Sequence, residues 1–238
     1  MASRKPKAER AVRVEVAGTG KVSGIRDAIV ARAGELGLFG WVRRDEHVVR
    51  VHAEGDIEPV GELLASLGEI EGASTTTEDV KAEGHEQFAI RGVSAGVFVV
   101  QEHQATSHHF DFRLEVDGVL KSWAVPKGPS MDPATKRMAI EVPDHDLEHA
   151  DFEGETNDGW VRIWDRGTYE QGGRVPWPEA IERGHAVFVL HGERLRGGFA
   201  LQRTRRGDKP QWLLIKRSDD AARPGSDVVA ENEPPHGK

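Results

Sequence analysis

Residues 103–115 read HQATSHHFDFRLE. From position 109 the chain alternates strictly: His109, Asp111, Arg113 and Glu115 fall on one face of a strand, and Phe110, Phe112, Leu114 and Val116 on the other. An ordinary half-buried strand carries mixed, interchangeable polar residues on its wet side. This one aligns an imidazole, a carboxylate and a guanidinium, with a second imidazole, His103, six residues upstream. Two imidazoles and a carboxylate are metal-ligand chemistry, and a fixed cation beside them suits a phosphate ester.

Such a face needs neighbouring strands to hold it. Asp117-Gly118 separates this strand from VLKSWAVP and is a strong two-residue hairpin signal. A tight turn there sets the register, with Arg113 facing Ser122 and Phe112 facing Trp123. Lys127 follows in PKGPSMDP, and a third strand, RMAIEVPDH, carries Arg137 and ends in His145. Polar groups from several strands thus converge. His108 and His149 read as surface or hydrogen-bonded histidines, and Trp123, Trp164 and Trp212 as core residues.

Composition limits the chemistry. The chain has 238 residues, 37% of them hydrophobic, and no cysteine. Disulfides, thiolate metal sites and cysteine nucleophiles are excluded, so a metal must sit on His, Asp or Glu. The formal net charge of −8 disfavours broad non-specific DNA binding but leaves room for a focused site. No apolar run approaches a membrane span and residues 1–10 lack an apolar signal core, so a cytoplasmic location and no membrane partner are expected.

Two segments and two tails are expected. Residues 1–10 and 223–238 read as disordered. Residues 11–92 give strand, helix (25–36, with Ile29, Ala33 and Leu36 along one side), a hairpin pattern in FGWVRR and HVVRVHAEG, helix (VGELLASLGEI) and strand (HEQFAIRG), a ferredoxin-like βαββαβ order. Residues 93–222 give eight short strands with little helix between them, which predicts an antiparallel β-barrel or sandwich and an α+β chain as a whole.

Residues 11–92 resemble acylphosphatase, through AGTGKVSGIRDAIVARAGELGLFGWV and the later AEGD and FAIRG. The resemblance implies a phosphate-binding role for Arg26. Two departures weaken that chemistry. The phosphate loop at 19–23 reads TGKVS, and the position of the family's water-orienting asparagine is Arg44. An arginine has no acceptor for a water hydrogen, so the segment reads as an accessory domain.

Residues 93–220 are similar to the 3′-phosphoesterase domain of bacterial DNA ligase D, through FVVQEHQATSHHFDFRLEVDGVLKSWAVPKGPSMDPATKRMAIEVPDHDLEHADFEG, IWDRGTYE and DKPQWLLIK. That family is a compact β-barrel that needs a divalent metal, preferably Mn²⁺. It trims 3′-phosphates and terminal ribonucleosides from DNA in break repair. The resemblance implies His103, His109 and Asp111 as metal ligands, and Arg113 and His145 as the groups that grip the phosphate. It places Gln101, Ser122, Lys127 and Arg137 as further polar groups around the substrate, with His103 and Asp111 also needed for turnover. His145 either protonates the leaving 3′-oxygen or binds a phosphate oxygen. The implied partner is DNA with a 3′-phosphate or 3′-ribonucleotide end, alongside a repair ligase, polymerase or end-binding protein. The family's arm ahead of the barrel has no counterpart in STTTEDVKAEGHEQFAIRG, so the resemblance carries 3′-phosphate removal further than ribonucleoside removal. Acyl phosphate hydrolysis through Arg26, or non-catalytic binding of DNA ends, are the alternatives.

Overall fold

A computed structural model describes residues 8–18, 24–45, 48–157 and 159–232. The phosphate-loop positions 19–23, the first seven residues and the last six lie outside them. The chain divides into two compact units, one of residues 1–93 with 173–176, the other of 94–172 with 177–238.

The first unit runs β1 (Arg10–Ala17), α1 (Ile25–Glu35), β2 (Phe39–Asp45), β3 (Val48–Gly55), α2 (Ile57–Gly68), β4 (Ser74–Asp79) and β5 (Phe88–Arg91). Alternation in β1 buries Val12, Val14 and Val16 against Ile25, Ile29 and Ala33 of α1 and Val60, Leu63 and Leu67 of α2. The sheet order is β4-β1-β3-β2-β5, with all pairs antiparallel except β2–β5. The βαββαβ order is present, but its last strand is β4. The expected strand at HEQFAIRG becomes a fifth one, on the sheet edge. The whole of β4 is exposed, so it lacks the apolar alternation that announces a strand.

The second unit contains β6 (Gly96–Gln104), β7 (His108–Val116), β8 (Val119–Val125), β9 (Arg137–His145), the short β10 (Gly154–Thr156), β11 (Gly159–Gln171), helix α3 (Glu179–Arg183), β12 (His185–Gly192), β13 (Arg196–Arg205) and β14 (Gln211–Lys216). The order β11-β12-β13-β14-β9-β8-β7-β6, closed by pairing of β6 with β11, makes an eight-stranded antiparallel barrel. β10 pairs outside this ring, on β11. The interior is aromatic. Phe112 of β7 meets Trp123 at 6.4 Å and, from across the barrel, Phe188 of β12 at 5.9 Å. Trp123, Trp164 and Trp212 are buried. Residues 223–232 correct the expectation of a disordered tail: Val228 is buried, Arg223 N–H donates to Met131 O, and Arg223 pairs with Glu231. One apolar side chain in a polar run is too weak a signal to reveal docking.

A bulge at 163–165 in β11 turns Asp165 inward, where its carboxylate accepts the N–H groups of Arg166, Glu193, Arg194 and Leu195. This needs a close approach at Gly192, where a Cβ would stand 2.6 Å from Asp165 Oδ2 and 2.5 Å from the Phe98 ring. Asp165→Ala orphans these donors and is expected to cost about 3–5 kcal/mol. Urea unfolding with a lowered midpoint and unchanged slope checks it.

Candidate functional site

Tight turning at Asp117 (φ 50°) and Gly118 (φ 81°) matches a two-residue hairpin in which both central residues take positive φ. The register is the expected one, Arg113 opposite Ser122 and Phe112 opposite Trp123. Because the Phe112 face is the barrel interior, His109, Asp111 and Arg113 lie on the outer wall. On β6, Gln101 faces Asp111 and His103 faces His109, which adds both side chains to the same face.

His145 reaches this face through an irregularity. β9 sets Glu141 opposite Trp123 and Val142 opposite Ser122, and then the register slips so that His145 stands opposite Leu120. Unbroken alternation would send residue 145 to the Glu141 side. The bulge reverses the parity, and His145 Nδ1 lies 2.9 Å from Arg113 Nη1 and 3.4 Å from Ser122 Oγ.

Arg113 is the hub. Nε donates to Gln101 Oε1 (2.8 Å), Nη1 to Ser122 Oγ (2.7 Å) and His145 Nδ1, and Nη2 to Asp111 Oδ2 (3.0 Å). A guanidinium has five N–H groups, so one, on Nη2, remains after these four bonds. The residue is only 3% exposed. Burial lowers its pKa and the Asp111 charge opposes that, but arginine stays protonated. Since arginine only donates, His145 Nδ1 must accept, which puts the proton of the neutral ring on Nε2.

The metal-ligand candidates are brought together. Asp111 Oδ2 lies 3.7 Å from His103 Nδ1, and Asp111 Oδ1 lies 3.6 Å from His109 Nε2. One donor atom from each of the three falls within 4.8 Å of the others. Bonds of about 2.0–2.2 Å from N and O ligands to a divalent ion bring such atoms to this range, so the three residues fit a metal. His109 Nδ1 contacts Ser107 O at 2.9 Å, which fixes the proton there and leaves Nε2 as a ligand.

Two of the expected substrate groups are engaged within the protein. Gln101 is fully buried; its Oε1 holds Arg113 and its Nε2 donates to the carbonyls of His149 and Phe152, both at 2.9 Å. Ser122 is buried and gives its proton to Leu120 O. Both position Arg113 and have no polar group left for a phosphate. Lys127 is exposed, without a hydrogen bond or ion pair among the described residues. Arg137 falls on the Ala139 and Glu141 side of β9, away from Ser122. Neither joins the cluster. In the first unit, Arg26 is half-buried near the start of α1.

His149, expected to be a surface or hydrogen-bonded histidine, packs its ring 4.6 Å from His145 and stacks it on Phe152 at 5.3 Å. The turn carrying it, Leu147–Asp151, is anchored by Gln101. Nothing in the local sequence marks it, because the contact depends on the β9 bulge. His108 instead pairs with Glu102 at 2.8 Å. Burial, then the Arg113 charge, hold both His145 and His149 below their ordinary pKa. Lowered folded pKa values make the neutral rings stabilising above about pH 6.5, the unfolded value, and that contribution is lost as pH falls through the lower folded values. The His145→Gln/His149→Gln double variant is expected to lose stability less steeply than wild type between pH 7 and 5. Thermal unfolding across that window checks it.

The fold and site define a class: a barrel whose outer wall carries a buried arginine between a cluster of three candidate metal ligands and a histidine. Residues 101–203, which lie in the barrel, match the family described as the DNA Ligase D 3′-phosphoesterase domain. The chain is 50% identical over 133 residues to the multifunctional non-homologous end joining protein LigD of Pseudomonas aeruginosa, covering 53% of this chain and 16% of that protein. It is 38% identical over 181 residues to the LigD repair protein of Mycobacterium tuberculosis, covering 71% and 22%. It therefore spans less than a quarter of the length of either. The acylphosphatase from Coxiella burnetii is 26% identical, covering 38% of this chain and all of that one, with a TM-score of 0.34. Among the described residues, no helix is long and apolar enough to cross a membrane.

Proposed function

We propose that the barrel is a metal-dependent phosphoesterase that removes a 3′-phosphate from a DNA strand end during break rejoining, with Mn²⁺ as its preferred ion. The observation that carries this reading is Arg113, which ties the ligand Asp111 to His145 through one guanidinium. His103, His109 and Asp111 would hold the ion. When bound, a divalent cation polarises a phosphoryl oxygen and makes a water more acidic. Arg113 contributes a fixed positive charge and its remaining Nη2 hydrogen to the phosphate. His145 Nε2–H donates a hydrogen bond to a phosphate or leaving oxygen. The lowered pKa of this ring favours hydrogen bonding over delivery of a proton from the imidazolium form. The names of the end-joining relatives support DNA ends as the substrate class. Removal of a terminal ribonucleoside is the finer activity of the same reading.

The test is incubation with Mn²⁺ and a 3′-phosphorylated primer–template. Wild type is expected to yield a 3′-hydroxyl end, and His103→Ala and His145→Ala to yield little. Absence of product from wild type under every divalent metal, or equal product from all three, overturns the reading. Binding without turnover would leave an end-binding module.

A further inference from the structure

The first unit buries a second group of ligand-type side chains, on the sheet face opposite the Val12–Leu63 core. Four consecutive residues of β3, Val51, His52, Ala53 and Glu54, are buried. In a strand this requires cover on both faces. The cover over His52 and Glu54 is the segment between β4 and β5. Glu54 pins it, accepting the N–H groups of Glu83 (2.6 Å) and His85. That places the His85 ring 5.4 Å from the His52 ring, with His85 Nε2 2.8 Å from Glu83 Oε2. Arg13 takes the other Glu83 oxygen, Oε1, at 3.2 Å. One donor atom each from His52, Glu83 and His85 lie within 4.8 Å of one another.

His52 supplies an independent observation. The side chain is fully buried, and its Nε2 contacts Glu54 Oε2 at 3.2 Å. Its Nδ1 has no hydrogen-bond partner among the described residues. With the ring proton on the nitrogen facing the carboxylate, Nδ1 holds a lone pair that no donor among the described residues reaches. Burying an unmet polar atom is costly, and imidazole lone pairs are the usual nitrogen ligands of a borderline cation.

We propose that His52, Glu83 and His85 form a divalent-cation site distinct from the barrel cluster, suited by its two imidazoles and one carboxylate to zinc or a neighbouring first-row ion. The site joins β3 to a segment some thirty positions away in sequence. Its role is therefore a clip: an ion bound only in the folded state stabilises that state.

The test uses the full chain carrying His103→Ala and His109→Ala, which removes the barrel ligands. After chelation and dialysis against Zn²⁺, elemental analysis is expected to find one retained zinc per chain, with a raised unfolding temperature. Adding Glu83→Gln is expected to weaken zinc binding at least about tenfold. Adding His85→Asn as well should abolish retention. The Glu83 side chain is 37% exposed, so Glu83→Gln keeps the fold and decides the matter even where His85→Asn does not fold. No retained zinc in the His103/His109 variant, or unchanged affinity after Glu83→Gln, overturns the proposal. The outcome is independent of any activity of the barrel.

Discussion

Arg113→Lys will lower 3′-phosphate release by about 10²–10³-fold while leaving the charge in place. The substitution is conservative only in charge. Arg113 spreads four hydrogen bonds over Gln101, Ser122, His145 and Asp111, and an ammonium on a flexible stem has three donors and no planar fork. At least one acceptor around this buried position is then left empty. Gln101 also loses the partner that fixes its amide while it holds the carbonyls of His149 and Phe152. The turn carrying His149 should loosen with it. Disrupting a buried charged network of this kind costs about 3–5 kcal/mol of stability. Single-turnover rates at a temperature where circular dichroism shows the variant folded separate the catalytic loss from the thermodynamic one. A loss smaller than about threefold would show that charge alone suffices.

Asp111→Asn will weaken metal binding by at least about 100-fold. The side chain keeps its shape but loses the charge that faces His103, His109 and Arg113 together. It also gains an NH₂ group, which opposes either a ligand or Arg113 Nη2, itself a donor. The two substitutions separate through the metal titration. Raising Mn²⁺ should recover part of the Asp111→Asn rate, because the defect lies largely in affinity, and should leave Arg113→Lys unchanged. Recovery of both to the same extent would place Arg113 among the groups that act only through metal affinity.

Much of this site is legible in the strand 109–116 because alternation and a two-residue turn are local rules. Asp117-Gly118 sets the register, the register places Ser122 beside Arg113, and all eight barrel strands stand out between Gly- and Pro-containing turns. The parts that escape are set by irregularity or by distant contacts. The slip in β9 that turns His145 outward has no sequence mark, and His149 follows from it. Gln101 and Ser122 carry substrate-type groups, but their bonds are spent inside the wall, which only three-dimensional neighbours decide. Arg137 stands on a strand that does reach the site, on its other face. In the first unit, β4 lacks an apolar face, and its Thr-rich β-branched character is a weaker signal than the Phe and Ile of β5.

The same polar β4 has a consequence for how this protein coexists with other copies of itself. The barrel of the second unit closes, so its eight main strands have no open edge. The first unit's sheet does not close, and β4 ends it. An open strand invites pairing with a strand from another chain, a route to aggregation. Ser74, three threonines, Glu78 and Asp79, all exposed, give that edge no sticky face. Its two carboxylates at one end set like charge against a second copy in parallel approach. The feature that hides this strand from a reader of sequence is what keeps the open sheet from growing.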